Sequence, residues 1–174
     1  MSRFPRTAAV LVALASFTPP AAAQEGFRVG YTDIGPTVGL GGIGSASIAF
    51  GLRAEHAFRS MPNLGNGVIG IQAGADFYSW SAPDVKWSYI PIGATANYHF
   101  NLENKKIDPF LGLGLGYSIV SCSYSGVDDL CSDSALYFIG RAGARYLFNE
   151  KAALYGDVGA GAATLNLGLM LRLK

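Results

Sequence analysis

The stretch Thr164-Leu165-Asn166-Leu167-Gly168-Leu169-Met170-Leu171-Arg172-Leu173 alternates leucine with polar or small residues at a strict two-residue period. That period puts one wholly apolar face on an extended strand, whereas a helix would spread the leucines around its circumference. The sequence stops at Lys174, so the stretch reads as a terminal strand. A bare leucine edge in water invites aggregation, and this strand must therefore pair with another and meet an apolar surrounding.

The same alternation recurs upstream, with turn-forming clusters between the segments. The first strand is expected over Asp33 to Gly41 and the second over Ser45 to Phe58, with Ile48, Phe50, Leu52 and Ala54 opposite Gly51, Arg53 and Glu55. The third spans Val68 to Trp80, with Ile69, Ile71, Ala73, Ala75 and Phe77 opposite Gln72, Gly74 and Asp76. The fourth spans Trp87 to Phe100, and the fifth runs from Ile107 to Val120 with Leu111, Leu113 and Leu115 opposite Gly112, Gly114 and Gly116. The sixth covers Leu136 to Phe148 and the seventh Ala153 to Ala160, and the leucine strand is the eighth. Three even-numbered segments close on Phe58, Phe100 and Phe148, each soon followed by a polar turn, which is the echo of a repeated hairpin. Pro36 and Pro91 interrupt this pattern, because proline removes a ladder hydrogen bond, and they are read as bulges or strand ends.

Arg3 and Arg6, the apolar run Ala8 to Phe17 and the small residues Ala21-Ala22-Ala23 form the three parts of an export signal, with cleavage expected after Ala23. Residues 24–174 then form one domain. Without Arg3 and Arg6 that domain holds eleven bases against twelve acids, a balance that gives no footprint for nucleic acid. Cys122 and Cys131 flank a Ser-, Gly- and Asp-rich segment of an exported chain and are expected to form a loop disulfide, stabilising by about 2–3 kcal/mol.

Alternation alone does not say which face is inside. The charges in polar register are Asp33, Arg53, Glu55, Asp76, Arg141, Arg145, Asp157 and Arg172, four acids and four bases. A closed interior needs such parity, since an unpaired buried charge costs several kcal/mol, and a solvent-facing surface does not. Gly112, Gly114 and Gly116 lie in the same register, where a narrow eight-stranded bore needs small residues. The leucine and isoleucine face then lies in lipid, with Phe58, Tyr98, Phe100, Tyr146 and Phe148 in an aromatic girdle. The expected fold is all-β: an eight-stranded antiparallel up-and-down transmembrane β-barrel.

Tyr98-His99-Phe100, followed by Asp108-Pro109-Phe110-Leu111-Gly112-Leu113-Gly114-Leu115-Gly116-Tyr117, resembles a pattern of small outer-membrane β-barrel proteins, the opacity, OmpA/OmpX and OmpW-like group. The resemblance covers essentially the whole mature chain and implies a Gram-negative outer membrane with both termini in the periplasm. It also implies contact with outer-membrane lipid and lipopolysaccharide, and insertion by the barrel-assembly machinery. Asn166, Gly168, Leu171 and Leu173 resemble the signal which that machinery reads, although the family usually ends on an aromatic and this chain on Leu173-Lys174.

The expected role is structural or surface-interacting, with a closed, charge-paired lumen, in a monomer without cofactor, metal or catalytic residues. His56 and His99 are read as interfacial aromatics at the periplasmic end, remote from outer-leaflet chemistry. Asp128, Asp129 and Asp133 match no complete calcium loop. The alternatives are a porin-like narrow channel or carrier for small hydrophobic molecules, an outer-leaflet lipid-modifying enzyme and a secreted lipocalin-like binder.

Overall fold

The computed structural model describes residues 26–42, 48–83, 85–124, 127–128 and 133–173. The export signal, Asp129, Cys131 and Lys174 lie outside the described residues. Eight strands form the barrel: β1 Thr32–Leu40, β2 Ile48–Met61, β3 Gly67–Ala82, β4 Val85–His99, β5 Ile107–Tyr124, β6 Asp133–Leu147, β7 Ala152–Ala160 and β8 Leu165–Arg172. Each pairs antiparallel with its neighbours in sequence, and β1 pairs with β8, so the sheet closes without an edge. Val127–Asp128 adds a two-residue pairing to the top of β5.

Closure satisfies the backbone groups that an open sheet would expose, and in lipid nothing else would satisfy them. The barrel is inverted relative to a water-soluble protein. Leu113, Leu136 and Phe138 point outward at 75%, 76% and 83% exposure, whereas Asp33, Glu55, Asp157 and Arg145 are buried in the bore. Phe58, Phe100, Tyr146 and Phe148 are exposed at the end of the barrel that carries the turns at 62–66, 100–106 and 148–151. Tyr98 stands beside Phe100 in an edge-on contact, and its hydroxyl donates to the Leu64 carbonyl.

The glycine run on β5 makes room for what crosses the bore. A Cβ on Gly112 would lie 2.1 Å from Asn97 Oδ1, one on Gly116 2.2 Å from the Tyr137 ring, and one on Gly114 1.9 Å from the Ala94 carbonyl oxygen.

The prolines are neither bulges nor strand ends. Pro36 pairs with Leu52 of β2, but the β1–β8 register is interrupted at Gly35 and Pro36, between Ile34↔Leu171 and Thr37↔Gly168. Pro91 likewise pairs with Ser118 of β5 while the β3–β4 register is interrupted between Ala75↔Ile92 and Tyr78↔Tyr89. Each proline thus opens one ladder and keeps the other, as a residue with a carbonyl and no N–H can. The register shift of β2 lies instead between Ala57 and Arg59.

Strands β3 to β6 are longer than their apolar alternation implies, reaching Ala82, Val85, Tyr124 and Asp133. Pairing continues upward where the outward residues turn from apolar to serine, so periodicity of hydrophobicity marks the lipid boundary and not the end of the strand.

Gly114→Val should abolish the compact, heat-modifiable form on unheated gels, because its side chain would enter the Ala94 carbonyl. Gly140→Ala, whose nearest neighbour is the Leu113 side chain at 3.7 Å, should keep that form; loss in both or in neither would refute the account.

Candidate functional site

The bore of the barrel holds the densest polar chemistry of the molecule, arranged in tiers. The lower tier centres on Glu55 of β2. Its carboxylate accepts from Gln72 Nε2 at 3.0 Å, Asn97 Nδ2 at 3.0 Å and His99 Nε2 at 2.8 Å. It also pairs with Arg145 Nη2. Arg145 reaches across to Asp33 on β1 at 2.9 Å, and Arg172 on β8 reaches the same carboxylate at 2.9 Å.

His99 extends the tier. Its Nε2 faces Glu55 and its Nδ1 lies 3.0 Å from both oxygens of Asp108. A carboxylate ion only accepts, so the imidazole satisfies both partners only with a hydrogen on each nitrogen. The interior then holds five carboxylates, Asp33, Glu55, Asp76, Asp108 and Asp157, against four guanidiniums and one imidazolium.

A second tier stands above. Arg53 pairs with Asp76 at 2.8 Å and Arg141 with Asp157 at 3.2 Å. Asn166 bridges them, donating to Asp157 at 2.9 Å and accepting from Arg53 at 3.4 Å. The Tyr155 hydroxyl donates to Asp157, and its ring stacks on Phe110 with centroids 5.7 Å apart. A cavity of about 40 Å³ lies among Arg53, Asp76, Arg141 and Asp157.

Each end carries a cover. At the upper end Tyr78, Tyr89, Ala49, Ala162 and Ala163 form a buried apolar cluster. The Tyr78 hydroxyl donates to the Ala162 carbonyl at 2.9 Å and Arg141 Nη1 to that of Ala163 at 2.6 Å, which draws the β7–β8 loop inward. At the lower end the chain turns back before β1: Tyr31 N–H donates to the Arg28 carbonyl across Gly30, whose φ is +92°. That turn lifts Phe27 beneath the charged tier, its ring centroid 4.3 Å from that of His99 and 4.5 Å from Arg145 Cζ. Below it a cavity of about 740 Å³ opens toward the turn end, lined in part by Arg28, Asn66, Asn101 and Lys105.

All eight charges that the sequence assigns to the bore take part in these contacts, each with an opposite charge from the same set. Two residues correct the sequence reading. His99 is not interfacial; it is 2% exposed and inside, whereas His56 is exposed and accepts or donates a 2.8 Å hydrogen bond with Thr32. Asp108 is also inside, an addition to the eight charges that the sequence assigns to the bore. Parity marks both, since His99 follows Thr95 and Asn97 at two-residue steps and Asp108 precedes Gly112 at the same step. Of the segment resembling an assembly signal, Asn166 is buried in the bore and Leu171 and Leu173 point outward. Gly168 lies against Thr37. Cys122 is buried on β5, and its expected partner lies outside the described residues. Among the described residues no group of three or more His, Cys, Asp or Glu side chains is arranged to hold a metal ion.

A family model described as the outer membrane protein beta-barrel domain matches residues 7–167. Among solved structures, Neisserial surface protein A aligns over 83% of this chain and 94% of its own, at 19% identity and a TM-score of 0.53. The N-terminal beta-barrel domain of Pseudomonas aeruginosa OprF aligns over 83% and 98%, at 14% identity and a TM-score of 0.53. The outer membrane protein OprG of Pseudomonas aeruginosa aligns over 85% and 98%, at 13% identity and a TM-score of 0.54. At these identities the likeness is one of fold. No curated protein sequence matches the chain.

Arg145→Met leaves Asp33 and Glu55 short of their shared cation and should lower the unfolding free energy of the refolded barrel by about 3–5 kcal/mol. Phe27→Ala should cost about 2–4 kcal/mol through lost packing on His99 and Arg145. Urea titrations in detergent followed by tryptophan fluorescence measure both, and unchanged midpoints would refute the central place given to this tier.

Proposed function

The chain belongs to the outer membrane protein beta-barrel domain family and resides in the outer membrane, and from that premise we propose a non-catalytic barrel with a closed, charge-paired lumen and a structural or surface-interacting role. One observation carries the reading: two tiers of mutually paired charges stand across the bore, between the Tyr78–Ala162 cover and the Phe27 cover. Eight strands leave an interior that side chains can fill, and here they are ionic, so a solute would have to break pairs to pass.

The only buried histidine among the described residues supports the non-catalytic part. His99 is committed on both nitrogens and covered by Phe27, which leaves neither nitrogen to take a proton from a substrate. Both termini lie in the periplasm in this reading, with the β5–β6 loop outside, held by a disulfide between Cys122 and Cys131. The protein acts as a monomer and is inserted by the barrel-assembly machinery through Asn166, Gly168, Leu171 and Leu173. With the bore filled, specificity would rest in the outer loops, as it commonly does where a rigid scaffold carries variable connections.

In planar bilayers the wild type should pass no steady current, and replacing Arg141 or Arg145 with alanine should raise the conductance. Steady wild-type conductance would replace the closed barrel with a channel or carrier. The mature chain should migrate faster without reductant than with it, and Cys131→Ser should remove the difference. A lipid A acyl pattern that changed on expression, and only with His99 intact, would defeat the non-catalytic reading.

A further inference from the structure

Below the Phe27 cover, the turn end of the barrel holds a cavity of about 740 Å³ that the closed bore does not use. Three segments wall it: the strap that carries Phe27 and Arg28, the β2–β3 turn with Asn66, and the β4–β5 turn with Phe100, Asn101 and Lys105. Its volume falls in the range of pockets that enclose a small ligand, roughly 300–1,000 Å³. Two of these walls are pinned. The Tyr98 hydroxyl ties the β2–β3 turn to β4 through the Leu64 carbonyl. Lys105 Nζ ties its own turn by donating to Asn101 Oδ1 and, at 2.7 Å, to the Leu102 carbonyl.

The charge of the cavity is uneven. Both oxygens that Lys105 meets are neutral, and among the described residues it has no carboxylate partner. Asp108 is the one carboxylate among the described residues that lines the cavity, and both its oxygens face His99 Nδ1. The same sign prevails around the cavity. Arg28, Arg59, Lys105, Lys106 and Lys151 are exposed at this end against Glu103 and Glu150, so the turn end attracts anions. Glu25, next to Gly26 in sequence, lies outside the described residues. The rest of the wall is amide and aromatic. Asn66 and Asn101 contribute carboxamides, which donate and accept, and Phe27 and Phe100 contribute aromatic surface. That mixture suits a peptide, whose amides answer the carboxamides; an acyl chain would cover them without bonding them.

We propose that this cavity binds an acidic peptide through a free carboxylate, with Lys105 as the counter-charge and Asn66 and Asn101 bonding the peptide's amides. Charge complementarity argues for this occupant: a cation held in place by two neutral oxygens, at the edge of a preformed cavity, lacks only an anion. The peptide comes from the side of the membrane on which the turns stand, which is the periplasm in the orientation proposed above. Binding itself does not depend on that orientation.

The test uses the mature chain refolded in zwitterionic detergent and the tripeptide alanyl-glutamyl-alanine, labelled with fluorescein at its amino end and read by fluorescence anisotropy. The wild type and Lys105→Arg should bind it, and Lys105→Gln should bind about fivefold more weakly. Lys151→Gln removes a base from the same end but not from the cavity wall, and should bind as the wild type does. Both lysines are exposed in turns, so all three variants should keep the heat-modifiable form. Unlabelled peptide should compete and its fully amidated form should not. No binding by the wild type overturns the proposal, and equal weakening in Lys105→Gln and Lys151→Gln overturns the cavity in favour of a diffuse basic rim. Equal competition by the amidated peptide overturns carboxylate recognition. Competition by acetate at the peptide's own concentration reduces the occupant to a simple anion, and displacement by phosphatidylglycerol replaces the peptide with a lipid headgroup. Binding that appears only in Glu25→Gln overturns the open site, because the chain's own carboxylate would then be what holds the peptide off.

Discussion

The contact between Glu55 and Arg145 is the constraint around which the interior is built. A lone carboxylate in a bore enclosed by lipid would be intolerable, and Glu55 is met by donors from three other strands, Gln72 of β3, Asn97 and His99 of β4 and Arg145 of β6. Arg145 in turn carries the connection to Asp33 of β1, whose other partner is Arg172 of β8. The chain Glu55–Arg145–Asp33–Arg172, two carboxylates and two guanidiniums, therefore runs unbroken to both sides of the seam where the barrel closes. Small residues follow from the same cause: a Cβ on Gly70 would lie 2.3 Å from Glu55 Oε1, and one on Gly74 2.6 Å from the Arg53 side chain.

Such a network is weak evidence for stability, because taking charges from water costs about as much as pairing them returns. Its stronger effect is on register. A one-residue slip of any strand moves every side chain to the opposite face. For β2 that slip would place Arg53 and Glu55 in hydrocarbon and Leu52 and Ala54 in the bore. In water an amphipathic strand is held in register by its apolar face, but lipid does not distinguish leucine on one strand from leucine on the next. The charged face supplies the discrimination that the apolar face cannot, and the two interrupted ladders at Pro36 and Pro91 are tolerated because pairing on either side is already fixed.

How much of this could be read from the chain depends on how local each signal is. The eight strands and the inward direction of Arg53, Asp76, Arg145 and Asp157 follow from a period of two within single segments. Counting carboxylates against bases gave the closed interior a reason. His99 escaped because Tyr98 and Phe100 flank it, and an aromatic triplet at a strand end reads as a membrane boundary although its middle residue faces inward. Asp108 is harder to read because Phe110, an aromatic in the inward register, separates it from the glycine run. Phe27, Ala162 and Ala163 had no signal at all: they lie outside periodic segments, and their burial depends on where the Gly30 turn and the β7–β8 loop fold in three dimensions.

The strand ends make the same point from the other side. Hydrophobic alternation stops near Trp80 and Val120, yet hydrogen bonding continues to Ala82 and Tyr124. Alternation in a membrane barrel records the surrounding solvent, apolar against lipid and polar above it, whereas strand length records backbone pairing, which needs neither. Where the two disagree, the difference measures how far the wall rises out of the hydrocarbon. On β3 to β5 that excess is covered on its outer face by hydroxyls and Lys86, and on its inner face by Trp80 and Trp87, stacked with centroids 5.8 Å apart.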